Sequence, residues 1–565
     1  MKENKVSINI ISSFNNANFS ALLKSSKNFT WKINEVDYNQ VFQTLTNSNA
    51  KIWKKPSNIS LVWTTPDFIS SEFKKLENGS VINPKRIKDE VDYFCSCIDS
   101  IKKYSDIVLV PNWILKQQNE GNLTLSCSKD SGLEYNLSLM NQYLYEKLGK
   151  EKKIHILNSS NWLINCGALK AYNSKLWYLM KNPFSNLFLK NSIYDLENLY
   201  MSIRGQNKKL LIVDLDDTLW GGIVGDVGWN NLRLGGHDHL GEAFQDFQNK
   251  IKSLSKNGLL LAIASKNDES IAIEAIKQHP EMILSINDFV TYRINWDDKA
   301  KNISEMVSEL NIGLQSVVFF DDNPVERDRV KKTLPEVFVP DLPKDPSDYL
   351  TFLSKLRCFD AAHISAEDKV RGKLYKVESK RTSLKTKFKS LSRWIETLEL
   401  EISIENIKKK NMLRCLQLLN KTNQMNLSTR RLNEQEFTNW INKKSNYLWT
   451  VRAKDKFGDY GIIGVLSLSM RNKIVHVIDF VLSCRVVGRC IENILVEFLK
   501  DFCRYNKITK INGEYKKTNK NSLIYEFLKK LNIINENKSS FVLSSKKSNV
   551  DLPKIKVIKP SLRKK

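Results

Sequence analysis

The sequence predicts a multidomain α/β protein. Three observations lead there. Short, continuous apolar runs alternate with longer polar stretches of helical character along most of the chain. Several of those runs end abruptly in carboxylate or hydroxyl residues, as buried parallel strands do at the edge where ligands bind. At 565 residues the chain is also too long for one hydrophobic core, so three or four domains are expected.

The first segment, to about residue 205, opens with an apolar run from Val6 to Ile11 that leads into Ser12, Ser13, Phe14 and Asn15. Further runs follow at Ile59 to Trp63, Ile107 to Val110 and Ile154 to Leu157, which together read as one α/β layer. The next segment has sharper punctuation: Leu210 to Val213, Leu259 to Ile263 and Val317 to Phe320. Such uninterrupted apolar runs suit parallel strands covered on both faces. After Pro343 a charged stretch, predicted helical, reaches to about residue 400. Strands are then expected near Leu448 to Ala453, Gly461 to Ser469 and Val475 to Leu482, with a helix over Ile491 to Tyr505. The remainder after about residue 541 is expected to be a mobile tail.

Composition narrows the function classes. Hydrophobic residues make up 41% and aromatics 10%, enough for several cores and unlike a disordered chain. The formal net charge of +26 is large, yet Lys and Asn are abundant everywhere and form no basic stripe interleaved with aromatics. The exception is the tail, with Lys546, Lys547, Lys554, Lys556, Lys559, Arg563, Lys564 and Lys565 against Asp551. Nucleic acid is therefore not the expected partner; weak attraction to acidic proteins is the better fit. No run approaches the ~18 apolar residues of a membrane span, and the N-terminus carries no long apolar core, so a soluble, cytoplasmic protein is expected. Nine cysteines are scattered without zinc-site spacing and read as reduced core thiols.

The strongest chemical signal spans residues 210 to 330. The run ending at Val213 delivers Asp214 and Asp216, two apart on extended chain and so facing one site. One carboxylate can attack phosphorus while the other protonates the leaving oxygen. Thr218 follows within the same turn. The second run ends in Ser265, whose small hydroxyl suits a phosphate oxygen, with Asn267 two residues on. Lys299 follows the loop from Ile294 and can neutralise phosphoryl oxygens. The third run ends in Asp321, Asp322 and Asn323; the carboxylates are hard ligands for Mg²⁺ beside Asp214, with Asp216 included in the candidate metal set. A strand followed by Asp-x-Asp alone is often only a helix-capping turn, and a lone lysine only a solvated charge. Four strand-end groups in this order argue for a site. Only about forty residues separate Asp214 from the second run, and about thirty separate Ser265 from Lys299, so no large cap domain fits between them. The site should be open at the top, leaving a neighbouring domain or partner to exclude water.

These motifs, from Asp214 through Gly222 and from Phe319 through Arg327, resemble the FkbH-like branch of the haloacid dehalogenase superfamily. So do Ser265-Lys266-Asn267, Gly235-Gly236 with Gly241 to Phe244, and Asn295-Trp296 before Lys299. The resemblance extends to Thr422 through Arg431 and Asp479 through Gly488, and only loosely to the first 200 or so residues. Under it, residues 1–205 would form an SGNH-hydrolase-like domain and 206–345 a Rossmannoid phosphatase domain with a minimal cap. Residues 346–400 would be a helical connector, 401–540 a GNAT-like domain, and 541–565 a basic tail.

In the GNAT-like region, Arg485, Gly488, Arg489 and Cys490 lie between a strand and the helix beginning near Ile491. Free amides at a helix N-terminus make an anion site, and the segment resembles the acetyltransferase loop that holds the phosphates of coenzyme A. Cys490 stands where that loop has Gly or Ala. Cys484 is the candidate acyl-carrying thiol, its pKa lowered by Arg485 and Arg489; a buried structural cysteine ending a strand would look the same. In the amino-terminal domain, Ser12 or Ser13 with Asn15 lies where an SGNH nucleophile would. The late stretch from Asn173 to Pro183 supplies neither Asp nor His, so a binding or scaffolding role is expected there.

The resemblance implies an Mg²⁺-dependent phosphatase coupled to acyl transfer. The substrate would be a phosphorylated three-carbon acid such as 1,3-bisphosphoglycerate, and the glyceryl unit would end as a thioester on the phosphopantetheine arm of an acyl carrier protein. Two alternatives stand beside it. One is a phosphatase fused to an acyl-CoA-dependent acyltransferase acting on a sugar in surface-polysaccharide assembly; the other is a non-enzymatic scaffold that docks a carrier protein.

Overall fold

Three sheets organise the described residues. A computed structural model describes residues 5–80, 82–115, 124–129, 131–236, 238–360, 372, 375, 390–471, 474–483, 486–508, 510–518, 521–533, 539–546 and 553–560. It divides into two compact units, residues 1–200 and 201–565.

The first unit holds a five-stranded parallel sheet of β1 (Lys5–Ser12), β2 (Thr30–Glu35), β3 (Ser57–Trp63), β4 (Ser105–Pro111) and β5 (Ile154–Leu157), in the order β2-β1-β3-β4-β5. Four of these strands contain the apolar runs seen in the sequence. The fifth, β2, lies at the sheet's edge and mixes buried, half-buried and exposed residues, so it lacks a continuous apolar run. Ser12 and Ser13 do sit at the carboxyl end of β1, but their hydroxyls serve the backbone: Ser12 Oγ accepts from Phe14 N and Ser13 Oγ from Thr65 N. Asn15 likewise accepts from Ala17 N.

The second unit begins with the parallel strands β6 (Leu210–Val213), β7 (Leu260–Ser265), β8 (Phe289–Ile294) and β9 (Val317–Phe320), in the order β8-β7-β6-β9. All residues of β6, β7 and β9 are buried. Because β6 runs between β7 and β9, its carboxyl end places Asp214 at the middle of the sheet edge, flanked by Ser265 and Asp321. Between β6 and β7 the chain forms the short helix Val224–Val227 and the helix His239–Lys256; between β7 and β8 it forms the helix Glu269–Gln278. Among the described residues neither insertion carries a sheet, so the edge is left open.

The last sheet has seven strands: β10 (Glu401–Asn406), β11 (Asn446–Asp455), β12 (Gly458–Arg471), β13 (Ile474–Leu482), β14 (Lys510–Glu514), β15 (Ser540–Ser544) and β16 (Lys556–Ile558). Their order is β15-β14-β13-β12-β11-β10-β16. Strands β10 to β13 form an antiparallel meander, while β13 pairs with β14 in parallel only from Val475 to Val477. The helix Ile491–Tyr505 is amphipathic and buries Leu495, Phe498, Leu499 and Phe502 in the sheet's core.

The tail departs from expectation. Residues 541–565 do not simply trail away: β15 and β16 are strands of this sheet. Phe541 and Leu543 face the core, and the intervening exposed positions mask that alternation in the sequence. The basic residues there find carboxylates, Lys556 at Glu401 (2.8 Å) and Lys559 at Asp501 (2.6 Å). The connector expected over 346–400 is described chiefly at its ends; 361–371, 373–374 and 376–389 lie outside the described residues. Its helix Tyr349–Lys355 packs Tyr349 and Leu353 into the core beneath β6. Its helix Leu391–Thr397 presents Trp394, whose ring lies 5.7 Å from the buried Arg489 guanidinium. Replacing Trp394 by Ala should remove that stacking surface and lower the stability of the second unit by roughly 3 kcal/mol, measurable as a shift of the urea midpoint with little change of slope. No helix among the described residues is long and apolar enough to cross a membrane.

Candidate active site

The site is built at the carboxyl edge of β6, β7 and β9. Asp214 follows β6, Asp321 and Asp322 follow β9, and Lys299 opens the helix Lys299–Glu309 after β8. Lys299 Nζ donates to Asp214 Oδ2 at 2.7 Å and to Asp321 Oδ2 at 2.6 Å. All three side chains are buried, Lys299 and Asp321 almost completely. Burial alone would pull the lysine pKa down; the charges and hydrogen bonds of Asp214 and Asp321 more than offset it, and the net shift is upward. The ammonium therefore stays charged.

Asp214, Asp321 and Asp322 each offer a carboxylate oxygen, all within 4.8 Å of one another. Asp214 Oδ1 is buried without a hydrogen-bond partner. A buried anionic oxygen without a donor is costly, and a hard divalent cation held by three carboxylates would satisfy it. The donor set fits Mg²⁺. Burial first, and then the charge of Asp214, push Asp321 from the ordinary 3.8 up to about 7.

In metal-free protein this group's contribution to stability is full below pH 3.8 and is lost as pH rises through about 7. Cation binding needs the deprotonated form, so Mg²⁺ affinity should weaken about tenfold for each pH unit below 7. Titration calorimetry between pH 5.5 and 7.5 should show this, together with proton release on binding.

Asp216 stands apart from that cluster. Its Oδ1 accepts from Trp220 Nε1 (2.9 Å) and Val224 N (3.1 Å), and its Oδ2 accepts from Asn267 Nδ2 (2.8 Å). With both oxygens engaged, its carboxylate is not among the three grouped ones, although the sequence reading includes Asp216 in the metal set. Burial is the largest cause of its raised pKa, with the charge of Asp214 adding to it. A raised pKa suits a group that must carry a proton.

The other sequence candidates separate into distinct roles. Thr218 is fully buried; its Oγ1 accepts from Asp322 N (3.1 Å) and lies 3.4 Å from Asp322 Oδ1, so it positions that carboxylate. Ser265 is buried at the end of β7. Asn267 directs its amide nitrogen at Asp216 rather than into open space. Asn323 caps the helix Pro324–Thr333 through Val325 N, so its carbonyl is not free for a ligand.

Several contributors were not legible beforehand. Trp220 and the Val224 amide hold Asp216, and Arg327 reaches back with Nη1 to the carbonyls of Asp321 and Asp322. Tyr349 donates to the carbonyl of Asp217, which adopts a left-handed φ of 50° in the turn. In the sequence Arg327 shows only as the last residue of the run from Phe319; in the fold it is the fourth residue of the helix Pro324–Thr333, about one turn from the aspartates.

The carboxyl-terminal candidates are arranged differently. Cys484 and Arg485 lie outside the described residues. Gly488 N already donates to Glu492 Oε1 (2.8 Å), so this amide, expected to be free for a phosphate, is taken by the chain's own carboxylate. Arg489 is buried, bonded to the Tyr460 hydroxyl and stacked near Trp394 and Tyr460. Cys490 is half-buried with its thiol pKa raised by burial and by Glu492, the reverse of an activated thiol. Where β13 parts from β14, the segment Met425 to Leu427 takes its edge: Leu427 N bonds to Phe480 O and Leu482 N to Met425 O. Beside it, buried Asp479 accepts from Arg430, Ser428 and Ser467.

Comparison with known proteins adds a partial match. No family model matches the chain, and no curated protein does. Among solved structures it is similar to the N-terminal part of the protein BF1531 from Bacteroides fragilis, which contains a phosphatase domain and was crystallised in complex with Mg. Identity is 28%, the match covers 64% of this chain and 95% of that one, and the TM-score is 0.59. An acetyltransferase of the GNAT family from Staphylococcus aureus Mu50 matches over 26% of this chain and 99% of its own, at 12% identity and a TM-score of 0.21.

Proposed function

We propose that this chain is a two-site enzyme of the FkbH-like type. Its first site removes a phosphoryl group, with Asp214 as nucleophile; its carboxyl-terminal module passes the acyl unit to the thiol of an acyl carrier protein. The observation that carries the first half is the buried cluster of Lys299 between Asp214 and Asp321, with Asp214 Oδ1 left unpartnered. The similarity to an Mg-bound phosphatase-domain protein supports it.

In this account the Asp214 carboxylate attacks phosphorus and the bond to the leaving oxygen breaks. Asp216 gives that oxygen a proton, then takes one from the water that hydrolyses the aspartyl-phosphate. Mg²⁺, held by Asp214, Asp321 and Asp322, would neutralise charge on the transferring phosphoryl group. Lys299 keeps the nucleophile oriented and supplies a second fixed positive charge, and Ser265 lies at the strand end where a phosphoryl oxygen would sit. For 1,3-bisphosphoglycerate as substrate, the acyl phosphate is exchanged for a thioester with release of one phosphate, and hydrolysis releases the other.

The test is intact-protein mass spectrometry with Mg²⁺, 1,3-bisphosphoglycerate and a holo carrier protein. A glyceryl adduct on the carrier is expected with wild-type protein, and an adduct that keeps its phosphate with Asp214→Asn. Phosphate release without any acyl adduct would favour a phosphatase fused to an acyl-CoA-dependent acyltransferase. Carrier binding without turnover of any phosphate ester would favour a scaffold.

A further inference from the structure

Lys266 stands between two residues of the Asp214 site, Ser265 at the end of β7 and Asn267, which holds Asp216. Its ammonium joins neither of them. It donates instead to Glu326 Oε1 at 2.6 Å, in the first turn of the helix Pro324–Thr333 that follows β9. β7 and β9 flank β6 on opposite sides, roughly 10 Å apart at ordinary strand spacing. A bond between the segments beyond these two strands therefore crosses in front of the carboxyl end of β6, where Asp214 and Asp216 follow.

The pair can open easily. Glu326 is the ammonium's one partner among the described residues, which leaves donors of Lys266 uncommitted. The lysine side chain is 38% exposed and the glutamate 15%, so the cation lies on the solvent side. An ion pair with so exposed a lysine is weak and yields to a competing anion. Glu326 tolerates the loss, because the helix N-terminus favours a carboxylate in its first turn. Other cations of the site are already committed. Lys299 is enclosed between Asp214 and Asp321, and Arg327 bonds to the carbonyls of Asp321 and Asp322.

We infer that Lys266 recognises a carboxylate on the leaving group of the substrate, exchanging Glu326 for it. On the proposed reading the phosphoryl oxygens are served deeper in the site, by Lys299, Ser265 and the cation. What projects outward is the remainder of the ester, and Lys266 is the charge it meets. Glu326 sets the threshold. A neutral leaving group does not displace it, whereas a carboxylate anchored beside it by the bound phosphoryl group does. The pair thereby selects phosphorylated acids over phosphorylated alcohols of the same size. This inference rests on the proposed function and adds to it the residues that read the substrate.

The test compares phosphate release from 3-phosphoglycerate and glycerol 3-phosphate, which share a carbon skeleton and differ in the carboxylate. Acetyl phosphate serves as the check on the site itself. Wild type, Lys266→Met and Glu326→Gln are each measured with saturating Mg²⁺. Wild type should favour phosphoglycerate by about tenfold in KM, as one hydrogen bond to a charged group would give. Lys266→Met should raise KM for phosphoglycerate by about that factor and leave kcat and glycerol phosphate little changed, abolishing the preference. Glu326→Gln should act in the opposite sense, lowering KM for phosphoglycerate by about threefold because the lysine is freed. A pair that merely braces two loops would move KM in the same direction in both variants. That result, no preference in the wild type, or an equal loss on both esters in Lys266→Met with acetyl phosphate still turned over would overturn the inference and leave the phosphatase reading standing. No release from any of the three compounds would bring down the proposed function, and this inference with it.

Discussion

Asp214→Asn should abolish phosphate release, by a factor on the order of 10⁵, while leaving the fold intact. The carboxamide has the shape of the carboxylate, and its oxygen can still accept from Lys299 Nζ, which retains its second partner Asp321. On the proposed reading the nucleophile is lost, together with one of three grouped carboxylates. Mg²⁺ binding should therefore weaken as well. Steady-state phosphate release and calorimetry on the same preparation would separate the two losses, with near-ultraviolet circular dichroism as the check on folding. A variant with a tenth of wild-type activity would be incompatible with covalent catalysis at this residue.

Lys299→Met should lower turnover by about 10³-fold if, as proposed, this side chain orients Asp214 and offsets phosphoryl charge. The effect on the cation has the opposite sign. Lys299 places a positive charge against two of the three grouped carboxylates, and removing it should tighten Mg²⁺ binding, by about tenfold if the local dielectric is that of a partly buried site. Without the cation the variant should be destabilised by roughly 3 kcal/mol, since two buried carboxylates then lack their counter-charge. Saturating Mg²⁺ should recover most of that loss. Lys299→Arg would not substitute, because the planar guanidinium is too large for an almost fully buried position between two carboxylates. Slower turnover with tighter metal binding is a pairing that a merely structural lysine would not produce.

How much of this was legible depended on how directly each residue's role follows from its position along a strand. β6, β7 and β9 announce themselves as continuous apolar runs because both faces of the sheet are covered, and the residues that end them inherit the site. The edge strand β8 includes Thr291, Tyr292 and Arg293, two of them half-buried, and gives no such run. Lys299 could be singled out only by its order relative to the strands; its bridge between Asp214 and Asp321 is a property of the fold.

Side-chain allegiance was the least visible feature. The sequence reading separates Asp214 as nucleophile from Asp216 as acid/base but places both in the metal set, whereas Trp220, Val224 and Asn267 engage both oxygens of Asp216. Gly488 and Arg489 suggest an open anion loop, whereas Glu492, one helical turn on, fills the amide and Tyr460 holds the guanidinium. Composition also misled at the carboxyl terminus, where lysines suggested a solvated tail and the alternation of Phe541 and Leu543 made a strand.

The most direct test of the central claim is to trap the phosphorylated enzyme. On the proposed reading Asp216→Asn lacks the group that activates water, so with Mg²⁺ and a reactive phosphoryl donor the intermediate should accumulate and survive an acid quench. The account predicts one phosphoryl group per chain, mapped by peptide mass spectrometry to Asp214 and absent from the Asp214→Asn, Asp216→Asn double variant. A phosphoryl group on any other residue, or none while the wild type turns over the same donor, would contradict it.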